Sequence, residues 1–70
     1  MVRTPVRSTN IASIGYDDST STLEVGFRNG SIYQYYGVPA SVWRAVMSAS
    51  SHGRALWGRV RGRYPYREVG

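Results

Sequence analysis

The dipeptide Asn29-Gly30 separates two runs of alternating character, TLEVGFR before it and SIYQYY after it. Asn-Gly between such runs is a strong short-range signal for a β-hairpin, because both residues accept positive φ. In residues 22–28, Leu23, Val25 and Phe27 share one side and Glu24, Gly26 and Arg28 the other, as in an antiparallel strand with one buried face. Loop length then decides which tyrosines join the buried side. A two-residue turn pairs Phe27 with Ile32 and sets Ile32, Gln34 and Tyr36 beside Leu23, Val25 and Phe27. A three-residue loop, Arg28-Asn29-Gly30 with Gly30 left-handed, pairs Val25 with Tyr33 and Leu23 with Tyr35. One residue of slip exchanges every side chain between faces. The three-residue loop is the better reading, since two tyrosine rings fill a thin core better than Gln34 does. It leaves Ile32, Gln34 and an exposed Tyr36 on the other face, beside Glu24 and Gly26.

The core has to be thin. Seventy residues form one domain, and a chain of this size buries only ~60% of the surface its unfolded form exposes. Cysteine is absent, so neither a disulfide nor a thiolate zinc site braces the fold. The single His52 has no carboxylate near it in sequence, so no metal and no cofactor is expected. Packing of the six Tyr, two Trp and one Phe is the main source of stability. Pairing into a homodimer is a second way to bury surface.

Residues 1–9 are polar, carry Pro5 and two arginines, and read as a flexible basic arm. Residues 10–16 form a first strand, with Ala12, Ile14 and Tyr16 on one side and Ile11 and Ser13 on the other. The DDSTS run that follows is a turn by composition. After the hairpin, Gly37-Val38-Pro39 ends the third strand, and Pro39 suits a first helical turn. Within residues 39–49, Val42, Ala45, Val46 and Ala49 keep helical spacing, with Trp43 and Met47 widening the stripe. This helix is expected to lie across the Leu23/Val25/Phe27 face. Ser50-Ser51-His52-Gly53 offers an N-cap for a second, short helix over residues 53–57, with Leu56 and Trp57 packed down. Gly58 and Gly62 disfavour its continuation. Extended chain there would set Arg59, Arg61 and Arg63 on one side as a comb with ~7 Å spacing. The fold class is therefore α+β: a three-stranded antiparallel meander, a helix on one sheet face, a short helix and an extended basic segment. The domain spans residues 10–66, and residues 67–70 form a tail.

The functional signal lies in charge. The formal net charge is +5, and all nine basic residues are arginine. Guanidinium groups pair bidentately with phosphates and stack on bases, and five of the nine fall between Arg54 and Arg67. Catalysis has little to work with. Asp17 and Asp18 share one solvated turn, whereas an acid/base pair needs two different environments. His52 has no visible relay partner, and no glycine-rich phosphate loop is present. Binding has more support. Ser51, Gly53 and Arg54 gather a hydroxyl, free backbone N–H groups and a guanidinium at a helix start, which suits an anion. Beside them, RGRYPY alternates Arg61 and Arg63 with Tyr64 and Tyr66, the pattern of phosphate contact joined to base stacking. The alternative is that these tyrosines pack back onto the sheet and anchor the tail, a role that suits Tyr64 better than Tyr66.

The segments STNIASIGYD, LEVGFRNGSIYQYYGVP and SASSHGRALWGRVRGRYPY together resemble the KTSC domain, a small domain placed at the C-terminus of some lysyl-tRNA synthetases and occurring alone in bacterial and phage proteins. The resemblance runs from about Ser8 to Tyr66, with the family's YxY element on Tyr33 and Tyr35. It implies RNA binding without fixing it. Three functions follow in order. The first is a non-catalytic nucleic-acid-binding domain that favours RNA or single strands, with Arg54, Arg59, Arg61 and Arg63 on phosphates and Tyr36, Tyr64 or Tyr66 stacking. The second is a phage protein that sequesters a nucleotide at Ser51, Gly53 and Arg54. The third is a module for a host protein partner. No apolar run approaches the ~20 residues that span a bilayer, and no apolar stretch follows the first arginines. The expected location is the cytoplasm, the host's if the chain is phage-encoded.

Overall fold

A computed structural model describing residues 1–70 shows the hairpin in the three-residue register. Strand β3 (Thr22–Phe27) pairs antiparallel with β4 (Ile32–Tyr35), with Leu23 opposite Tyr35, Val25 opposite Tyr33 and Gly26 opposite Ile32. Gly30 takes φ +94° with no heavy atom near its absent Cβ. The Asn29 side chain accepts from the Ser31 N–H at 2.9 Å. Arg28 ties the loop to an earlier stretch of the chain, its N–H donating to the Asn10 carbonyl at 2.9 Å and its Nε to the Ser8 carbonyl at 2.8 Å.

Strand β2 (Ile11–Asp17) pairs with β3 on the other side. The strict alternation expected for it fails at one point. Ile11 lies opposite Phe27 while Ser13 lies opposite Gly26, so Ala12 is the extra residue of a β-bulge. A bulge resets the alternation, and both Ile11 and Ile14 enter the core as a result.

Two segments expected to lie outside the domain belong to the sheet. In the stretch expected as a flexible arm, β1 (Thr4–Pro5) pairs with β2, Thr4 opposite Ile14. Strand β5 (Tyr66–Glu68) begins at the last residue expected of the domain and runs into the expected tail, pairing with β4, Tyr35 opposite Tyr66. Val69 and Gly70 continue this edge by bonding the Ile32 backbone. The sheet therefore has five strands in the order β1-β2-β3-β4-β5, all antiparallel. Both added strands are exposed, and they extend the backbone ladder beyond β2 and β4.

Helix α1 (Ala40–Ser48) starts at Pro39, whose carbonyl accepts from the Val42 and Trp43 N–H groups. The Trp43 ring stacks on Tyr16 at 5.1 Å between centroids and 8° between planes. Tyr16 in turn donates to the Val38 carbonyl at 2.6 Å. Helix α2 (His52–Arg59) is longer than residues 53–57, because Gly58 stays helical. The helix stops at the next residue, Arg59: Val60 and Arg61 both donate to the Leu56 carbonyl, Arg63 donates to the Val60 carbonyl, and Gly62 supplies φ +78°. That is the geometry of a turn that needs positive φ at its third position. Val46 of α1 and Leu56 of α2, with Val60 just beyond it, close over Ile11, Ile14, Leu23, Val25, Tyr35 and Val38 to form the core. The His52 Nδ1 donates to the Val46 carbonyl at 2.9 Å and ties the two helices together. No helix is long and apolar enough to cross a membrane.

Candidate nucleic-acid interface

The two faces of the sheet are chemically different. On the face turned away from the helices, Gly15 and Gly26 leave a shallow channel filled by Arg3. Arg3 donates to Ser13 at 3.0 Å and to the Glu24 carboxylate at 2.7 Å. Gln34 donates to the other Glu24 oxygen at 2.8 Å, and Tyr36 donates to Gln34 at 3.0 Å. Tyr36, expected as an exposed stacking surface, is half-buried with its hydroxyl committed to this chain. Its face is self-satisfied.

The helix-bearing face is only partly covered. The helices close over β2 and β3, while the corner formed by the hairpin end, β4 and β5 stays open. A cleft of about 740 Å³ lies there, lined by Phe27, Tyr33, Tyr35 and Tyr66, with Arg28, Arg61, Thr9 and Asn10 around them. The rings form one array. Tyr33 meets Phe27 edge-on at 5.6 Å, lies 5.7 Å from Tyr66 and 6.5 Å from Tyr35. Tyr35 is buried, but Tyr66 is 63% exposed. Burial pushes the Tyr35 hydroxyl above its ordinary pKa. The Arg61 charge pulls against that shift, and the neighbouring Tyr33 and Tyr66 add to it. Arg61 is therefore close enough to the cleft floor for its charge to be felt there.

The expected site residues divide among several places. Arg61 and Tyr66 meet at the aromatic cleft. Ser51, Gly53 and Arg54 line an adjoining cleft with Ser8, Thr9, Asn10, Trp57 and Gly58. The Ser51 hydroxyl caps α2 by accepting from the Arg54 N–H at 3.3 Å. Arg59 and Arg63 line a different hollow with Val42, Ala55 and Tyr64, and Arg63 donates to the Gly58 carbonyl at 2.9 Å. Tyr64 is half-buried and packs against the core, so it anchors the chain. The comb of Arg59, Arg61 and Arg63 does not form, because the helix runs through Arg59 and a turn follows.

Sequence reasoning missed Phe27, Tyr33, Tyr35 and Arg28 among the cleft residues, and Trp57, expected to pack down, is instead 63% exposed and lines the adjoining cleft. The register argument had already placed Phe27, Tyr33 and Tyr35 on one face. The first helix was expected to lie across that face, and two helices of nine and eight residues leave its Phe27, Tyr33 and Tyr66 corner open. Asp17, the other chemical candidate, is the last residue of β2, paired with Thr22 at the edge of the turn. Its carboxylate accepts from the Ser19 hydroxyl at 2.7 Å and the Ser19 N–H at 3.0 Å, which hold it below the ordinary carboxylate pKa.

A five-stranded antiparallel meander with two helices on one face and an arginine-rimmed aromatic corner defines a small α+β domain in which nothing indicates catalysis. The chain belongs to the KTSC domain family, whose model matches residues 7–64. The crystal structure of a KTSC domain protein from Yersinia pestis is similar at a TM-score of 0.95 and 43% identity, covering 99% of this chain and 97% of that one. A protein of Stutzerimonas stutzeri is 41% identical over 54 residues, 77% of this chain and 76% of its own length. A lysine–tRNA ligase of Nostoc punctiforme is 30% identical over 59 residues, 84% of this chain and 10% of the ligase.

Proposed function

We propose that this protein binds single-stranded nucleic acid without catalysis, RNA in preference to DNA, with bases on the tyrosine array and phosphates on Arg28 and Arg61. The observation that carries this reading is the open aromatic cleft with guanidinium groups on its rim. Every base has a π-face, so aromatic side chains in a positively charged groove hold single strands with little regard to sequence. Tyr66 offers the most exposed ring. A duplex hides its base faces and gains nothing from such a surface. The preference for RNA draws on the relatives named lysine–tRNA ligase, which share this domain.

A free nucleotide is the second reading, favoured by the size of the cleft. Small-molecule sites commonly enclose about 300–1,000 Å³, and 740 Å³ is within that range. Fluorescence anisotropy at low salt separates the two. Labelled oligouridylates should bind more tightly as they lengthen from one to about ten nucleotides, and weaken as salt rises. Saturation by uridine monophosphate with no gain from length supports the nucleotide reading. Absence of affinity for any single strand overturns the proposal.

A further inference from the structure

We propose that Trp57 is a second stacking surface, so that a bound strand leaves the tyrosine cleft, crosses Arg61 and lays a further base on the indole. This rests on the single-strand reading above and extends it to a site on α2. Three observations meet here. Leu56 points into the core, which turns Trp57, about 100° further round the helix, outward, where it is 63% exposed. The chain's other tryptophan, Trp43, shows the contrasting case, packed against Tyr16 and the core.

The second observation is the Arg61 guanidinium, centred 3.6 Å from the Trp57 ring centroid. It covers one face of the indole, fixes its orientation and belongs at the same time to the aromatic cleft. A cation held on one face of an indole leaves the other free to stack. The third is continuity. The cleft lined by Trp57 and Arg54 shares Thr9 and Asn10 with the tyrosine cleft, so the two adjoin. Arg61 thus stands at the junction, where a phosphate between two stacked bases would pass, and Arg54 supplies positive charge beyond it.

The test compares short and long fluorescein-labelled oligouridylates, of about two and about six nucleotides, on wild type, Trp57→Ala, Trp57→Phe and Tyr66→Ala. Trp57→Ala is expected to weaken the longer strand about ten-fold and leave the shorter unchanged. Trp57→Phe should restore most of that loss, and Tyr66→Ala should weaken both lengths. Circular dichroism melting should be the same for Trp57→Ala and wild type, since the indole is outside the core. Trp57→Ala binding the longer strand as tightly as wild type, while Tyr66→Ala is impaired, overturns this inference and leaves the single-strand reading standing. Equal loss at both lengths in Trp57→Ala also overturns it. Wild type that binds neither strand overturns both.

Discussion

Arg3 reaches across the sheet to Glu24, its Nη1 donating to the carboxylate at 2.7 Å from a seat over Gly15 and Gly26. Glu24 is 8% exposed, so its charge needs that partner. A Cβ on Gly15 would come within 2.6 Å of the Val2 carbonyl, a backbone atom with little freedom to retreat. The N-terminal segment is thereby fastened to β2 and β3 by one guanidinium fitted into a glycine channel.

Arg3→Ala removes that fastening and leaves a buried carboxylate with fewer partners. Destabilisation by about 1–3 kcal/mol is expected, measured by urea unfolding. Gly15→Ala should destabilise as well, by displacing β1. Amide exchange of Val6, whose N–H bonds the Ala12 carbonyl, should then rise sharply.

Gly30→Ala tests the hairpin loop in isolation. Nothing lies within 4 Å of the added Cβ, so its whole effect is the backbone cost of φ +94° in a residue with a side chain, about 1–2 kcal/mol. Gly58→Ala should act in the opposite sense. Gly58 is helical and also faces open space, so alanine should stabilise α2 by up to ~1 kcal/mol. Thermal melts of the two variants should move in opposite directions from wild type.

Alkaline pH should unfold the protein through Tyr35. Its folded pKa is raised above the ordinary 10.0, first by burial. The folded state therefore holds this proton more tightly than the unfolded state does. The resulting stability is complete below 10.0 and is lost as pH climbs through the folded value. Tyr35→Phe should flatten the decline of the urea midpoint above that pH. Asp17 has the opposite sign: its pKa lies below the ordinary 3.8, so its contribution is present above that value and fades as pH falls further. Asp17→Asn should lessen the loss of stability in acid.

Much of the fold was legible because local chemistry chose it. Asn29-Gly30 and the alternation of residues 22–28 set the hairpin, and filling a thin core selected the pairing of Val25 with Tyr33. The parts that were not legible depend on distant contacts. Nothing in the sequence around Arg3 shows that Gly15 and Gly26 will lie side by side beneath it, so a docked strand looks like a loose arm. Tyr66 likewise becomes a strand residue only once Tyr35 is beside it. The glycine at position 58 was weighed by intrinsic propensity, which the packing of Leu56 and Val60 on either side overrode. The site was half visible for the same reason. Arg61 and Tyr66 stood out by composition, but their meeting with Phe27 and Tyr33 is a property of the folded sheet.

The central claim is that the open corner of the helix-bearing face holds the single strand. The most direct test is a nitrogen-15 amide spectrum of the protein titrated with an oligouridylate of about six nucleotides. The largest shifts are expected at Phe27, Arg28, Tyr33, Arg61 and Tyr66, with the amides of Ser13, Glu24 and Gln34 nearly still. Shifts centred on the Arg3, Glu24 and Tyr36 face, or on Arg59, Arg63 and Tyr64 alone, would contradict it.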